Sequence, residues 1–175
     1  MLTVTVVRAE PDRSSHALLR CAAAALYGAQ AAQWRTAPGT RGKPFFVGVP
    51  EVHFSISHTN GLWVCAFAAR PVGLDAQARR PVHTEPLIRR CFHAREQAYL
   101  ERCPDAFFAL WAAKEACVKL TGAGIDEAFR AVSTVSEAGE FPSVPGACLT
   151  LLTDALGVPC CLAAYEAHTG QLRAL

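Results

Sequence analysis

Lysine is nearly absent from this chain: Lys43, Lys114 and Lys119 stand against fourteen arginines in 175 residues. Charge of any kind is scarce, at 18% of residues and a net of +2, too little to argue for nucleic-acid binding. No apolar run reaches the ~18 residues of a membrane span. The opening Met1-Leu-Thr-Val-Thr-Val-Val alternates like a strand and lacks the basic flank of a signal peptide. No C-x-x-C pair occurs among the eight cysteines, and Cys91-x-His93 offers too few ligands for zinc. Several cysteines, Cys65 and Cys117 among them, sit inside apolar runs and read as small buried hydrophobes in a reducing compartment. What the chain has is apolar residues, 51% of the total, which excludes a disordered tail and predicts a globular, soluble, cytoplasmic protein. Its length fits one domain over 1–175, or two small lobes sharing an interface.

The pattern of elements is mixed. After the first strand, a helix capped by Ser14 or Ser15 is expected to run to about Trp34, followed by a loop over Thr36 to Pro44. Val52 to Ser57 alternates as a strand, Thr59-Asn-Gly61 turns, and Leu62 to Ala69 runs back. Pro71-Val-Gly-Leu-Asp-Ala starts another strand. One helix is expected from Thr84 to about Arg102 and a second from Phe107 to Leu120, closed by Thr121-Gly-Ala-Gly124. Phe129 to Val135, Ala147 to Thr153 and Val158 to Glu166 read as strands, the last two a hairpin across Asp154-Ala-Leu-Gly157. Helices and antiparallel hairpins in both halves predict an α+β fold.

Three positions on the second helix, Trp111, Glu115 and Lys119, are four apart and share one face, with steps of about 6 Å. Glu before Lys at this spacing is also an ordinary surface pair worth about 0.3–0.5 kcal/mol. The flanks Phe107, Phe108, Leu110, Ala112, Ala113, Cys117 and Val118 make this helix apolar nearly all round. Charges on such a helix need a partner or a ligand. In Gly73-Leu-Asp75-Ala-Gln77, strand alternation points Asp75 and Gln77 the same way. With Glu115 they form a candidate hard-cation site suited to Mg²⁺. Ser57-His58 closes a strand, and Arg41-Gly42-Lys43-Pro44 is a basic loop whose glycine permits close approach of an anion.

In this order the elements Gly42-Lys43-Pro44, Phe54-Ser-Ile-Ser57-His58, Gly73-Leu-Asp75-Ala-Gln77 and Trp111-Ala-Ala-Lys114-Glu115-Ala-Cys-Val-Lys119 resemble the Sfp-type 4'-phosphopantetheinyl transferases. Arg90-Cys-Phe92-His-Ala-Arg-Glu96 and Leu120-Thr-Gly122-Ala-Gly124-Ile125 resemble that family's linking segments, so the likeness covers about residues 40 to 135. It implies an enzyme that moves 4'-phosphopantetheine from coenzyme A to a serine of an acyl or peptidyl carrier protein. It also implies two similar α+β lobes, here about 1–70 and 71–175, related by a pseudo-twofold axis. Carried over by motif, Asp75 and Glu115, with Gln77 beside them, would hold Mg²⁺ against the pyrophosphate. Arg41, Gly42, Lys43, Ser57, His58, Lys114 and Lys119 would bind coenzyme A. Glu115, directly or through a metal-bound water, would be the base, and Lys119 and His58 would attend the phosphates.

Two departures qualify the likeness. The family's metal strand usually carries a second acid where Gln77 stands, so the site loses one negative charge. The N-terminal lobe is shortened: the basic segment before the first long helix is largely missing, with Arg8, Arg13 and Arg41 as stand-ins. A non-catalytic coenzyme A or carrier-protein binding protein is the alternative that Gln77 motivates. Carrier proteins are acidic, and Arg79, Arg80, Arg89 and Arg90 are candidates for the surface that meets one. Two lobes in one chain predict a monomer.

Overall fold

The computed structural model describes residues 1–124 and 127–175; Ile125, the end of the expected Gly-x-Gly turn, lies outside them. The element order is β1 (Leu2–Ala9), α1 (Ser15–Tyr27), β2 (Thr36–Pro38), β3 (Pro44–Phe46), β4 (His53–Thr59), β5 (Leu62–Ala68), β6 (Val72–Ala76), α2 (Thr84–Cys91), α3 (Ala94–Arg102), α4 (Phe107–Thr121), α5 (Glu127–Ala131), β7 (Cys148–Leu151), α6 (Thr153–Leu156), β8 (Cys160–Ala164) and β9 (His168–Ala174). The class is α+β.

Two sheets carry the fold, ordered β4-β5-β1-β9 and β6-β8-β7, with β2-β3 a small separate hairpin. They lie face to face. Alternation along β5 shows why: Trp63, Cys65 and Phe67 point to α1 on one side, while Val64, Ala66 and Ala68 meet Val72, Leu74 and Leu162 on the other. On the far side of the second sheet, Ala112, Ala113, Ala116 and Leu120 of α4 pack on Cys161 and Ala163 of β8. The order of layers is therefore α1, sheet, sheet, α4. Small residues on α4 let it approach closely. At Gly73 the approach is extreme, since a Cβ there would sit 1.9 Å from the Ala116 carbonyl oxygen.

Several sequence expectations are corrected by this arrangement. The first helix ends at Tyr27, not near Trp34, because Gly28 takes φ +91°, a conformation that breaks the alanine run. The Thr36–Pro44 segment is not all loop. It holds β2, whose partner β3 begins at Pro44; the paired prolines Pro38 and Pro44 end the short ribbon, and the Gly39 N–H donates to the Lys43 carbonyl at 2.8 Å to close the loop beyond them. The expected helix to Arg102 is two helices, since Phe92 buries itself completely and His93 restarts the chain as the N-cap of α3. The expected strand from Phe129 begins instead with α5 and continues as irregular chain. β9 had no alternation to reveal it, because almost all of its residues are exposed.

The reason Phe129 to Val135 pairs with no sheet is a buried charge pair. Glu96 and Lys114 are both essentially inaccessible and meet at 2.8 Å. One carboxylate oxygen of Glu96 accepts from the backbone N–H and the hydroxyl of Thr134, both at 2.8 Å. The other accepts the His93 N–H at 2.8 Å, completing a capping box. Lys114 donates to the Val132 carbonyl and lies over the rings of Phe92 and Phe129. The irregular segment thus spends its backbone groups on the ion pair. Breaking such a pair strands a charge in the interior, so Glu96→Ala is expected to cost about 3–5 kcal/mol in urea unfolding. The double change Glu96→Leu with Lys114→Met orphans no charge and is expected to cost less. Equal losses from the two proteins would count against this account.

Candidate active site

The site forms where β4, β6 and α4 meet. Asp75, buried on β6, accepts from Lys119 Nζ at 2.7 Å and from Ser57 Oγ at 2.9 Å through Oδ1. Its Oδ2 accepts from Gln77 Nε2 at 2.7 Å. Lys119 also donates to the Ile56 carbonyl of β4 at 3.1 Å, so one ammonium ties the helix to both strands. The Lys119 ammonium therefore pairs with Asp75 rather than forming the simple helix-surface bridge its spacing also allowed. Glu115 stands one turn before it, half-buried. Burial raises its proton affinity first, the Asp75 carboxylate adds to the rise, and Lys119 opposes it.

A cavity of about 280 Å³ opens beside this cluster, lined by Arg41, Gly42, Lys43, Ser55, Glu115 and Lys119 among others. Arg41 and Lys43 reach the C-terminal end of α4, where unsatisfied carbonyls favour cations. Lys43 Nζ donates to Leu120 O at 3.4 Å and to Val72 O of β6 at 2.9 Å. Arg41, at φ 58°, donates to the Ala123 carbonyl. Burial pushes the Lys43 ammonium down to about 8.

Of the residues read from the sequence, Arg41, Gly42, Lys43, Glu115 and Lys119 share this cavity, and Ser57, Asp75 and Gln77 adjoin it through Lys119. His58 is exposed near the end of β4, on the strand face opposite Ser57. Lys114 points into the interior, saturated by Glu96 and Val132. Among the described residues no three His, Cys, Asp or Glu gather as a metal cluster, so the site offers two acids and the Gln77 amide. Ser55, the Ile56 carbonyl and Thr59 were not read as functional. The hydroxyl spacing Ser55, Ser57, Thr59 was the available signal.

Residues 71–156, which contain β6, α4 and every acid of the site, match the family model of the 4'-phosphopantetheinyl transferase superfamily. The similarity to that superfamily rests on this segment, just under half of the chain. It is 34% identical over 113 residues to a 4'-phosphopantetheinyl transferase of Bacillus subtilis, covering 62% of this chain and 50% of that one. It is 39% identical over 89 residues to 4'-phosphopantetheinyl transferase psf-1 of Bacillus pumilus, covering 48% and 38%. With 4'-phosphopantetheinyl transferase HetI of a Nostoc species the identity is 36% over 96 residues, covering 49% and 40%. The chain thus spans half or less of the length of these curated relatives.

The lowered Lys43 value has a definite sign. In the unfolded chain this amine keeps its proton to about 10.5, while in the fold it releases it near 8. Between the two values the unfolded chain binds more protons, so stability rises with pH across that window and the gain is absent below it. Lys43→Met is expected to remove this slope. Urea unfolding of both proteins across the window checks it, and parallel curves would contradict the assignment.

Proposed function

We propose that the protein transfers 4'-phosphopantetheine from coenzyme A to a serine of an acyl or peptidyl carrier protein. The meeting of Asp75, Glu115 and Lys119 inside the family-matched segment carries this reading. In the reaction the serine oxygen bonds to the phosphorus that bears the pantetheine. The bond from that phosphorus to the bridging oxygen breaks, and adenosine 3',5'-bisphosphate leaves. Glu115, with its raised proton affinity, takes the hydroxyl proton. Lys119 neutralises or protonates the departing phosphate. Arg41, Gly42, Lys43, Ser57 and His58 are the proposed contacts to coenzyme A. Lys114 serves the site from behind, by holding α4 against α3 through Glu96.

The donor set suits Mg²⁺. Burial and the neighbouring Asp75 carboxylate make Glu115 costly to ionise, a divalent cation relieves that cost, and hard oxygens are the ligands Mg²⁺ prefers. Asp75 and Glu115 would hold it, with Gln77 turning its amide oxygen inward. Bound there, Mg²⁺ would supply positive charge to the pyrophosphate oxygens.

Each sheet bears one helix on its outer face, α1 or α4, which supports two similar lobes about 1–70 and 71–175 on a pseudo-twofold axis, with β9 crossing back to the first sheet. Arg79, Arg80, Arg89 and Arg90 are all exposed, which supports docking of an acidic carrier, although Arg89 is shared with Glu85. A cytoplasmic monomer completes the proposal. The cysteine thiols are free, with Cys65, Cys117, Cys160 and Cys161 buried, in keeping with a reducing compartment. No helix among the described residues is long and apolar enough to cross a membrane.

Mass spectrometry of an apo carrier protein incubated with this protein, coenzyme A and Mg²⁺ is expected to show the gain of one phosphopantetheine. Gln77→Glu is expected to lower the Mg²⁺ concentration needed for half-maximal rate. Coenzyme A binding without modification of any of several carriers would sink the transferase reading in favour of a non-catalytic binding protein.

A further inference from the structure

The two sheets present edge strands to each other, β4 from one and β6 from the other, and they are joined by side chains. Ser55 Oγ accepts the Leu74 N–H at 2.9 Å, Ser57 Oγ the Ala76 N–H at 3.1 Å, and Thr59 Oγ1 the Ala78 N–H at 2.7 Å. Each bond spans nineteen residues, so the strands run the same way in a fixed register. The alternate amides of this segment face β8, as Gln77 N–H does in donating to the Pro159 carbonyl at 2.8 Å. Hydroxyls of β4 therefore stand where the carbonyls of a neighbouring strand would be. They satisfy an edge that would otherwise bury unpaired donors.

Two contacts then locate Asp75 in two directions. Gly73 sets β6 against α4, because no residue with a Cβ fits over the Ala116 carbonyl. The hydroxyl comb sets β6 against β4, and the Ile56 carbonyl of β4 is one of the two acceptors that hold Lys119. We propose that Thr59, with Ser55, is a positioning residue for Asp75: the comb acts as one unit that fixes where the carboxylate stands relative to Lys119 and Glu115. Thr59 touches no reacting group. Its effect reaches the site through the register of β6.

This inference rests on the cation reading above, and its test separates the two. Thr59→Val keeps the shape and removes the acceptor. Loss of a hydrogen bond of about 1 kcal/mol is expected to speed amide exchange at Ala78 about fivefold, and exchange at Ala76 and Leu74 in concert. Exchange at Gln77, bonded to β8, is expected to stay unchanged, and Thr59→Ser is expected to restore all three comb amides. Mn²⁺ binding, read by water proton relaxation without turnover, is expected to weaken severalfold in Thr59→Val and recover in Thr59→Ser. Faster exchange at Ala78 alone, or equally at Gln77, would overturn the comb as a unit. Concerted exchange with unchanged Mn²⁺ affinity would overturn its positioning role. Absence of Mn²⁺ binding in the unaltered protein would sink the cation reading while leaving the exchange result standing.

Discussion

A carboxylate buried as deeply as Asp75 can remain in the fold only if donors surround it. The donors come from three places: Ser57 on β4, Gln77 from its own chain two residues on, and Lys119 on α4. To satisfy one side chain, an edge strand of the first sheet, an edge strand of the second and the outer helix must converge. Much of the architecture follows from that demand. Gly73 lets the helix come close enough, and the alanine face of α4 keeps the layer thin. The geometry that solves a burial problem also gathers two acids and a cation beside a cavity.

The chain buries a second ion pair with a different purpose. Glu96 and Lys114 are wholly enclosed and spend every strong hydrogen-bonding direction on backbone, hydroxyl and aromatic neighbours. Asp75 is buried as well, but its partner Lys119 is partly exposed and lines the cavity. A saturated pair holds structure, and a pair open to a cavity can exchange one partner for a ligand. Two lysines five residues apart on one helix are thereby separated in function by the faces they occupy. On α4, Glu115 and Lys119 face the site, whereas Lys114 faces α3 and the chain after α5.

The sequence made the local parts of this picture legible. The N-cap of α1, read as Ser14 or Ser15 and formed by Ser14, the Asn60-Gly61 hairpin and the glycine stop of α4 each rest on chemistry within a few residues. The acids and lysines of the site were legible because charge is rare and falls on an apolar helix. What escaped depends on distant partners. Lys114 was grouped with the coenzyme A contacts by motif, but its immediate neighbours are set by Glu96, eighteen residues away and on another helix. The break at Phe92 serves a buried aromatic cluster with Phe107 and Trp111 that no local window contains. β9 is polar and exposed, so pairing with β1 defines it, not its own pattern. The comb was visible as alternating hydroxyls, yet only the partner strand gives that alternation a meaning.

The scarcity of lysine has a spatial counterpart. Lys114 and Lys119 lie on α4, and Lys43 grips the carbonyl of Leu120 near its end. Every side-chain amine of the protein is thus attached to one helix, and the rest of the surface carries its positive charge as guanidinium. Among its side chains, reagents that attack neutral amines would find a single address: Lys114 is sealed inside, Lys119 is held by a carboxylate, and Lys43 has the lowered proton affinity and lines the cavity. Side-chain amine chemistry on this molecule becomes a reporter of the cavity mouth, silent about every other face.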